Sequence, residues 1–309
     1  MELVVYDTLA AMRAVLEAPP LQRRELYHRQ LIEPLRSYWE PIVQSFAPDS
    51  SDDDDAIRPL LWNIDLAGDT TPHLEALDRL ERAHAWAVVA EAIRTAARAF
   101  THRAILPERI ECVLTLGDPN DAYFMHWLRG SVGANSVRGF SLLIWPTDEN
   151  LPRLPALVAH EFHHKVRLAF EPWSEQTTLG DYIVLEGLAE AFAAELYGEE
   201  RIGPWVTTLS AAELDQARRV IGAAHEARGD IRGYVFGDTV AERFGIKPVG
   251  LPFCAGYAVG YQLVRAYLRR SGKSVVATTA IPSAQIIRES AYFAADDEII
   301  RADSNLMRR

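Results

Sequence analysis

The stretch DYIVLEGLAEAFAAELYG, residues 181 to 198, is the strongest constraint on how this chain can fold. Leu, Ala, Phe and Glu at this density, with no proline, read as a helix. Ile183, Val184, Leu185, Leu188, Ala189, Phe192 and Ala193 cover most of its circumference. A helix that is apolar nearly all round has to be buried, so other elements must pack about it. Glu186 and Glu190 interrupt the apolar surface four residues apart, and therefore on one face. A solvent-facing pair on an amphipathic helix is the plain reading of that spacing. The neighbours argue against it, because buried carboxylates require a partner and a cation supplies one. Gly187, beside Glu186, carries no side chain to crowd the face and permits a second helix to approach closely.

A second concentration of metal-binding side chains lies upstream, in LVAHEFHHKV, residues 157 to 166. His160, Glu161 and His164 fit the pattern H-E-x-x-H. On a helix, positions i and i+4 project from the same face, so His160 and His164 can present two imidazoles to one ion. Neutral imidazole is a good zinc ligand. Glu161 lies about 100° around the helix, placed to accept a proton from water held by the ion. His163, three residues from His160, is the competing ligand, but pairing it with His160 leaves Glu161 without that role. The motif by itself is divided between a metal site and an exposed polar helix face, and a catalytic zinc calls for a third protein ligand.

The remaining punctuation gives an α+β chain, predominantly helical, with a small antiparallel or mixed sheet. ELVVY (2 to 6) reads as a strand, and Asp7 and Thr8 can cap a helix to about Glu17, broken by Pro19-Pro20. Residues 21 to 46 read as a long amphipathic helix adjusted at Pro34 and Pro41, and residues 72 to 101 as one or two more. SDDDDA (51 to 56) reads as a solvated loop. Strands are expected over 110 to 116 and 140 to 145, separated in part by SVGANSVRG (131 to 139), which reads as a glycine-rich loop without phosphate-loop spacing. Helices follow at about 154 to 170, 179 to 198, 211 to 228 and 256 to 271. Such uneven mixing of helices and strands disfavours a doubly wound parallel sheet. The 309 residues suffice for one large or two modest domains.

A net charge of −11 argues against a nucleic-acid or anionic-membrane surface. The two cysteines, Cys112 and Cys254, form no disulfide framework, which suits a reducing compartment. No signal-peptide pattern or membrane-spanning apolar run is seen, so a cytoplasmic protein is expected.

HEFHH followed some 20 residues later by LEGLAEAF resembles the gluzincin metallopeptidases. It is more closely similar to a bacterial family of predicted zinc-dependent proteases carrying H-E-[aromatic]-H-H, then E-G-L-A-E, then G-Y-x-x-G-Y. The third element is Gly256 to Tyr261 here, and the resemblance covers about residues 110 to 290. It implies a peptidase domain over 106 to 309, with the sheet beside the motif helix, and a helical N-terminal region over 1 to 105 that carries no motif. It implies that Glu186 is the third zinc ligand after His160 and His164, and that Glu190 orients a ligand histidine. Leu185 stands where the gluzincin clan has asparagine. His163 then lines or packs beside the site. Tyr257 or Tyr261, spaced i and i+4, would stabilise the oxyanion, unless both are core tyrosines. His225 is the alternative donor, although its place at the end of a polar helix suits an interaction with the helix dipole. The strand at 140 to 145 would correspond to the edge strand that pairs with an extended peptide. Arg167 reads as half of a surface ion pair with Glu171 or another acid.

The activity implied is hydrolysis of peptide or protein substrates with Zn2+ as cofactor and Glu161 as base. The rival readings are a zinc-binding helical interaction protein that cleaves nothing, and a chain that binds no metal.

Overall fold

The structure, a computed structural model, describes residues 1–40, 65–100 and 106–294. The expected loop at 51 to 56 and the end of the expected helix at 41 to 46 lie outside the described residues. The chain divides into two compact units, Met1–Lys165 and Val166–Arg309.

The first unit opens with β1 (Glu2–Val5) and α1 (Thr8–Glu17). Asp7 occupies the cap position but makes no side-chain cap bond. Thr8 instead donates its hydroxyl to the Leu114 carbonyl, tying the start of α1 to the sheet. Pro20, with φ already set for a helix and no N–H to lose, begins α2 (Pro20–Tyr27). The single helix expected over 21 to 46 is interrupted: α2 widens into a π-helical turn (His28–Ile32), passes through a turn containing Pro34, and resumes at 36. Two further helices, α3 (Thr71–Arg82) and α4 (Ala85–Ala99), are separated where His84 takes a left-handed conformation, φ 51°.

Then come β2 (Arg109–Leu116), the short α5 (Ala122–His126), β3 (Ser131–Asn135) and β4 (Gly139–Ile144). The four described strands form one mixed sheet in the order β1-β2-β4-β3. β1 and β4 flank β2 in parallel, and β3 runs antiparallel to β4 at the border. β2 is buried along its whole length after Arg109, as an interior strand must be.

Two expectations are corrected here. SVGAN is a strand, not the first half of a loop, because Gly133 marks a close approach by another group rather than a turn. The strand at Gly139–Ile144 is consequently interior, and among the described strands β3 lies at the edge. The predominantly helical α+β class with a small mixed sheet is what the structure has.

α6 (Leu154–Phe170) carries the HEFHH motif and runs through the division, so His160, Glu161 and His164 belong to the first unit and Arg167 to the second. The second unit is helical throughout its described residues. α7 (Leu179–Tyr197) starts at a capping box between Thr178 and Asp181 and is buried on nearly every side, as its composition requires. α8 (Ala211–Ala224), α9 (Arg232–Phe236) and α10 (Asp238–Phe244) follow. α11 (Ala255–Ser271) packs directly on α7, and α12 (Val275–Thr278) and α13 (Ser283–Ser290) complete the unit. The α7–α11 contact depends on glycine: a Cβ on Gly187 would lie 2.2 Å from the Gly260 carbonyl oxygen.

Candidate metal centre

On α6, the five residues His160 to His164 are all buried, each at most 6% exposed. This excludes the exposed polar face that the motif alone left open. The helical spacing acts as expected: the Nε2 atoms of His160 and His164 are 2.9 Å apart, with ring centroids separated by 4.6 Å and planes at 88°. Glu161 offers a carboxylate oxygen to the same cluster, in which all three ligand atoms lie within 4.8 Å of one another. His163 lies instead against Phe100, ring centroids 6.3 Å apart, and is fully buried.

This donor set fits zinc. Two ligand nitrogens about 2.0–2.1 Å from a tetrahedral ion stand about 3.3 Å apart, so a few tenths of an ångström of opening suffices. A buried cluster of two imidazoles and a carboxylate is also what an ion pair with a cation would stabilise.

Glu161 is held from β3. The Asn135 side-chain amide donates to the Glu161 carboxylate and, at 3.2 Å, to its main-chain carbonyl. A Cβ on Gly133 would sit 2.3 Å from Glu161 Oε1 and 2.5 Å from its Cγ, so the carboxylate occupies the space a side chain would need. One turn along α6, Lys165 Nζ donates to the carbonyls of Ser136 at 2.5 Å and Val137 at 3.2 Å, fastening the β3–β4 turn. Burial lowers the Lys165 pKa, opposed by the charge of Glu161. Burial, and then the Glu161 charge, push the Cys112 thiol on β2 well above its ordinary value.

In the second unit, Glu186 and Glu190 are buried on α7, 4% and 1% exposed, as the apolar surroundings require. Glu190 finds partners within the protein: Trp205 Nε1 donates to it at 2.5 Å and the Gly203 amide at 3.3 Å. Both donors come from the 3-10 turn region that follows α7. Burial, followed by the charges of Glu186 and Glu190, raises the thiol pKa of Cys254.

Tyr257 and Tyr261 sit one turn apart on α11. Tyr257 is half-buried between Trp205 and Phe236, ring centroids 6.3 and 6.1 Å away. Tyr261 is 3% exposed beneath the Arg265 guanidinium, and burial raises its hydroxyl pKa. His225 caps the end of α8, its Nδ1 2.7 Å from the Gly222 carbonyl. Arg167 departs from expectation. It does pair with Glu171, but it is 1% exposed. Its guanidinium also donates to the carbonyls of Thr279 (2.6 Å) and Ile281 (2.7 Å) and to the Ser283 hydroxyl (2.8 Å). An Arg four residues before a Glu carries no sequence sign of this burial. Gly133, Asn135 and Trp205 were also missed, and only the glycine inside a strand-length run offered a signal.

A buried H-E-x-x-H helix beside a small mixed sheet defines a zincin-like arrangement. Residues 85–288 match the family described as "Predicted Zn-dependent protease (DUF2268)", and the chain belongs to that family. It is 31% identical over 303 residues to the uncharacterized protein YjfC of Bacillus subtilis (strain 168), covering 95% of this chain and 99% of that one. It is 30% identical over 159 residues to the uncharacterized protein YjaZ of the same organism, covering 50% of this chain and 57% of that one. No solved structure matches. No helix among the described residues is long and apolar enough to cross a membrane.

Proposed function

We propose that this chain is a zinc-dependent peptidase that hydrolyses peptide bonds in peptide or protein substrates. The observation that carries the reading is the buried convergence of His160 and His164 Nε2 with the Glu161 carboxylate. His160, His164 and Glu186 would hold the ion, and its chemistry when bound is Lewis acidity, lowering the pKa of water and polarising a carbonyl. Glu161 accepts the proton of the attacking water and passes it to the departing amine. Tyr257 or Tyr261 donates to the oxyanion; the half-buried Tyr257 is the more accessible of the two. Glu190 keeps a ligand histidine oriented, with Trp205 fixing the carboxylate in turn. His163 packs beside the site. β3 offers an edge along which an extended peptide can add as a strand.

The peptidase region is taken as 106 to 309, with 1 to 105 a helical N-terminal region, in a cytoplasmic protein. Zinc content and turnover of a mixed peptide library, for wild type and Glu161→Gln, test the reading. Wild type should carry about one equivalent of zinc and cleave, and the variant should keep zinc and lose roughly 10²–10⁴-fold in rate. A wild type that binds zinc and cleaves nothing would leave a zinc-binding interaction protein.

A further inference from the structure

We propose that edge strand β3 is a positioning element for the proton acceptor: Gly133 and Asn135 together fix where the Glu161 carboxylate lies. The proposal rests on the peptidase reading for its catalytic consequence, but not for the contact itself. Gly133 and Asn135 are two apart on a strand and so project to one face, with Ala134 on the other and exposed. Their functions differ. Gly133 leaves empty the volume that Glu161 Oε1, Cδ and Cγ fill, at 2.3 to 2.5 Å from where a Cβ would be. Asn135 uses one amide group twice, on the main-chain carbonyl of Glu161 and on its carboxylate.

The main-chain bond alone would dock the strand on α6. The carboxylate bond does something further: it selects one rotamer of a side chain with three free torsions, so orientation is settled before substrate arrives. Lys165, one helical turn beyond Glu161, holds the Ser136 and Val137 carbonyls and keeps the strand from sliding along the helix. The groups fixing the carboxylate thus come from a strand whose other side is the border of the sheet, where a substrate strand would add. Strand, base and substrate share one frame.

Gly133→Ala is the discriminating variant. Its new methyl meets Glu161 Cγ, Cδ and Oε1, all side chain and none backbone, so the protein can yield by swinging Glu161 aside. The expected result is an unfolding midpoint and zinc affinity close to wild type, KM within roughly twofold, and kcat lower by roughly 10²-fold, the scale of an ångström of misplacement. Asn135→Ala should lower kcat in the same way, and Asn135→Asp, isosteric but lacking the amide donor at neutral pH, should not rescue it. Denaturant unfolding of Asn135→Ala, Glu161→Ala and the double variant reads the contact without any activity. The double variant's unfolding constant should depart from the product of the single effects by roughly fivefold. Additive effects overturn the proposal whatever the activity. Coupling together with unchanged kcat in an active enzyme also overturns it, by reducing the contact to packing. Coupling in a wild type that cleaves nothing keeps the strand's hold on Glu161 and sinks the peptidase reading instead.

Discussion

Gly187 on α7 and Gly260 on α11 meet backbone to backbone. A Cβ on the first would lie 2.2 Å from the Gly260 carbonyl oxygen, and one on the second 2.0 Å from the carbonyl oxygen of Ile183. Gly256, a turn earlier, faces the Val235 backbone at 2.6 Å in the same way. The repeated glycines of GYAVGY are therefore the contact surface of α11, and its tyrosines are placed by them. Because each clash is with backbone, Gly187→Ala and Gly260→Ala should destabilise the protein by about 1–3 kcal/mol, as overpacking does. Chemical denaturation should show lower midpoints at unchanged m-value; a midpoint equal to wild type would mean that the helices can separate freely.

The histidines should divide by function. His160→Ala, His164→Ala and Glu186→Ala should each lose zinc on dialysis, whereas His163→Ala, which removes a ring packed on Phe100, should retain about one equivalent and lose stability instead. Elemental analysis decides this, and a zinc-free His163→Ala would reassign the ligand pair. Glu190→Gln should retain zinc with roughly 10–100-fold weaker affinity if the carboxylate orients a ligand.

Arg167 should be among the most sensitive positions outside the centre. Arg167→Ala strips the Thr279 and Ile281 carbonyls and Ser283 of charged donors in a buried setting, and a loss of about 3 kcal/mol is expected. Arg167→Lys should recover only part of it, since a single ammonium cannot span partners on both guanidinium nitrogens. Equal stability of all three proteins would contradict the buried geometry.

Glu111 on β2 makes a prediction about acid. Burial alone would raise its pKa, but donors from Tyr6, Arg138 and Arg109 outweigh it and hold the carboxyl below its ordinary value. A depressed folded pKa contributes stability that is present above the unfolded value, about 4.3, and is lost as pH falls through the folded one. Glu111→Gln should therefore be less stable than wild type at pH 7, with the gap closing below about pH 4. Unfolding curves across that range would test it; a constant gap would show that the charge contributes nothing.

What the sequence reveals about this protein follows the range of the interactions. HEFHH and the α7 stretch are local patterns, and helical periodicity alone brings His160 and His164 together and buries Glu186 and Glu190. Gly187 also told of a close neighbour, though not which one. What stayed hidden depends on partners distant in sequence. Asn135 and Glu161 are 26 residues apart, Trp205 lies 15 residues beyond Glu190, and the acceptors of Arg167 other than Glu171 come from more than 110 residues downstream. The glycine-rich look of SVGAN misled because glycine serves both turns and close approach, and only the identity of the approaching group, Glu161, separates the two.

An open sheet border attracts any extended chain, including another copy of the protein that carries it. β3 limits that risk by its construction. It is five residues long, has a glycine at its centre, and ends in a turn tethered by Lys165. So short a border presents few backbone groups to a second copy, which is one of the ways a sheet blunts an open edge. A strand just long enough to hold Glu161 is thus also a poor template for its own kind.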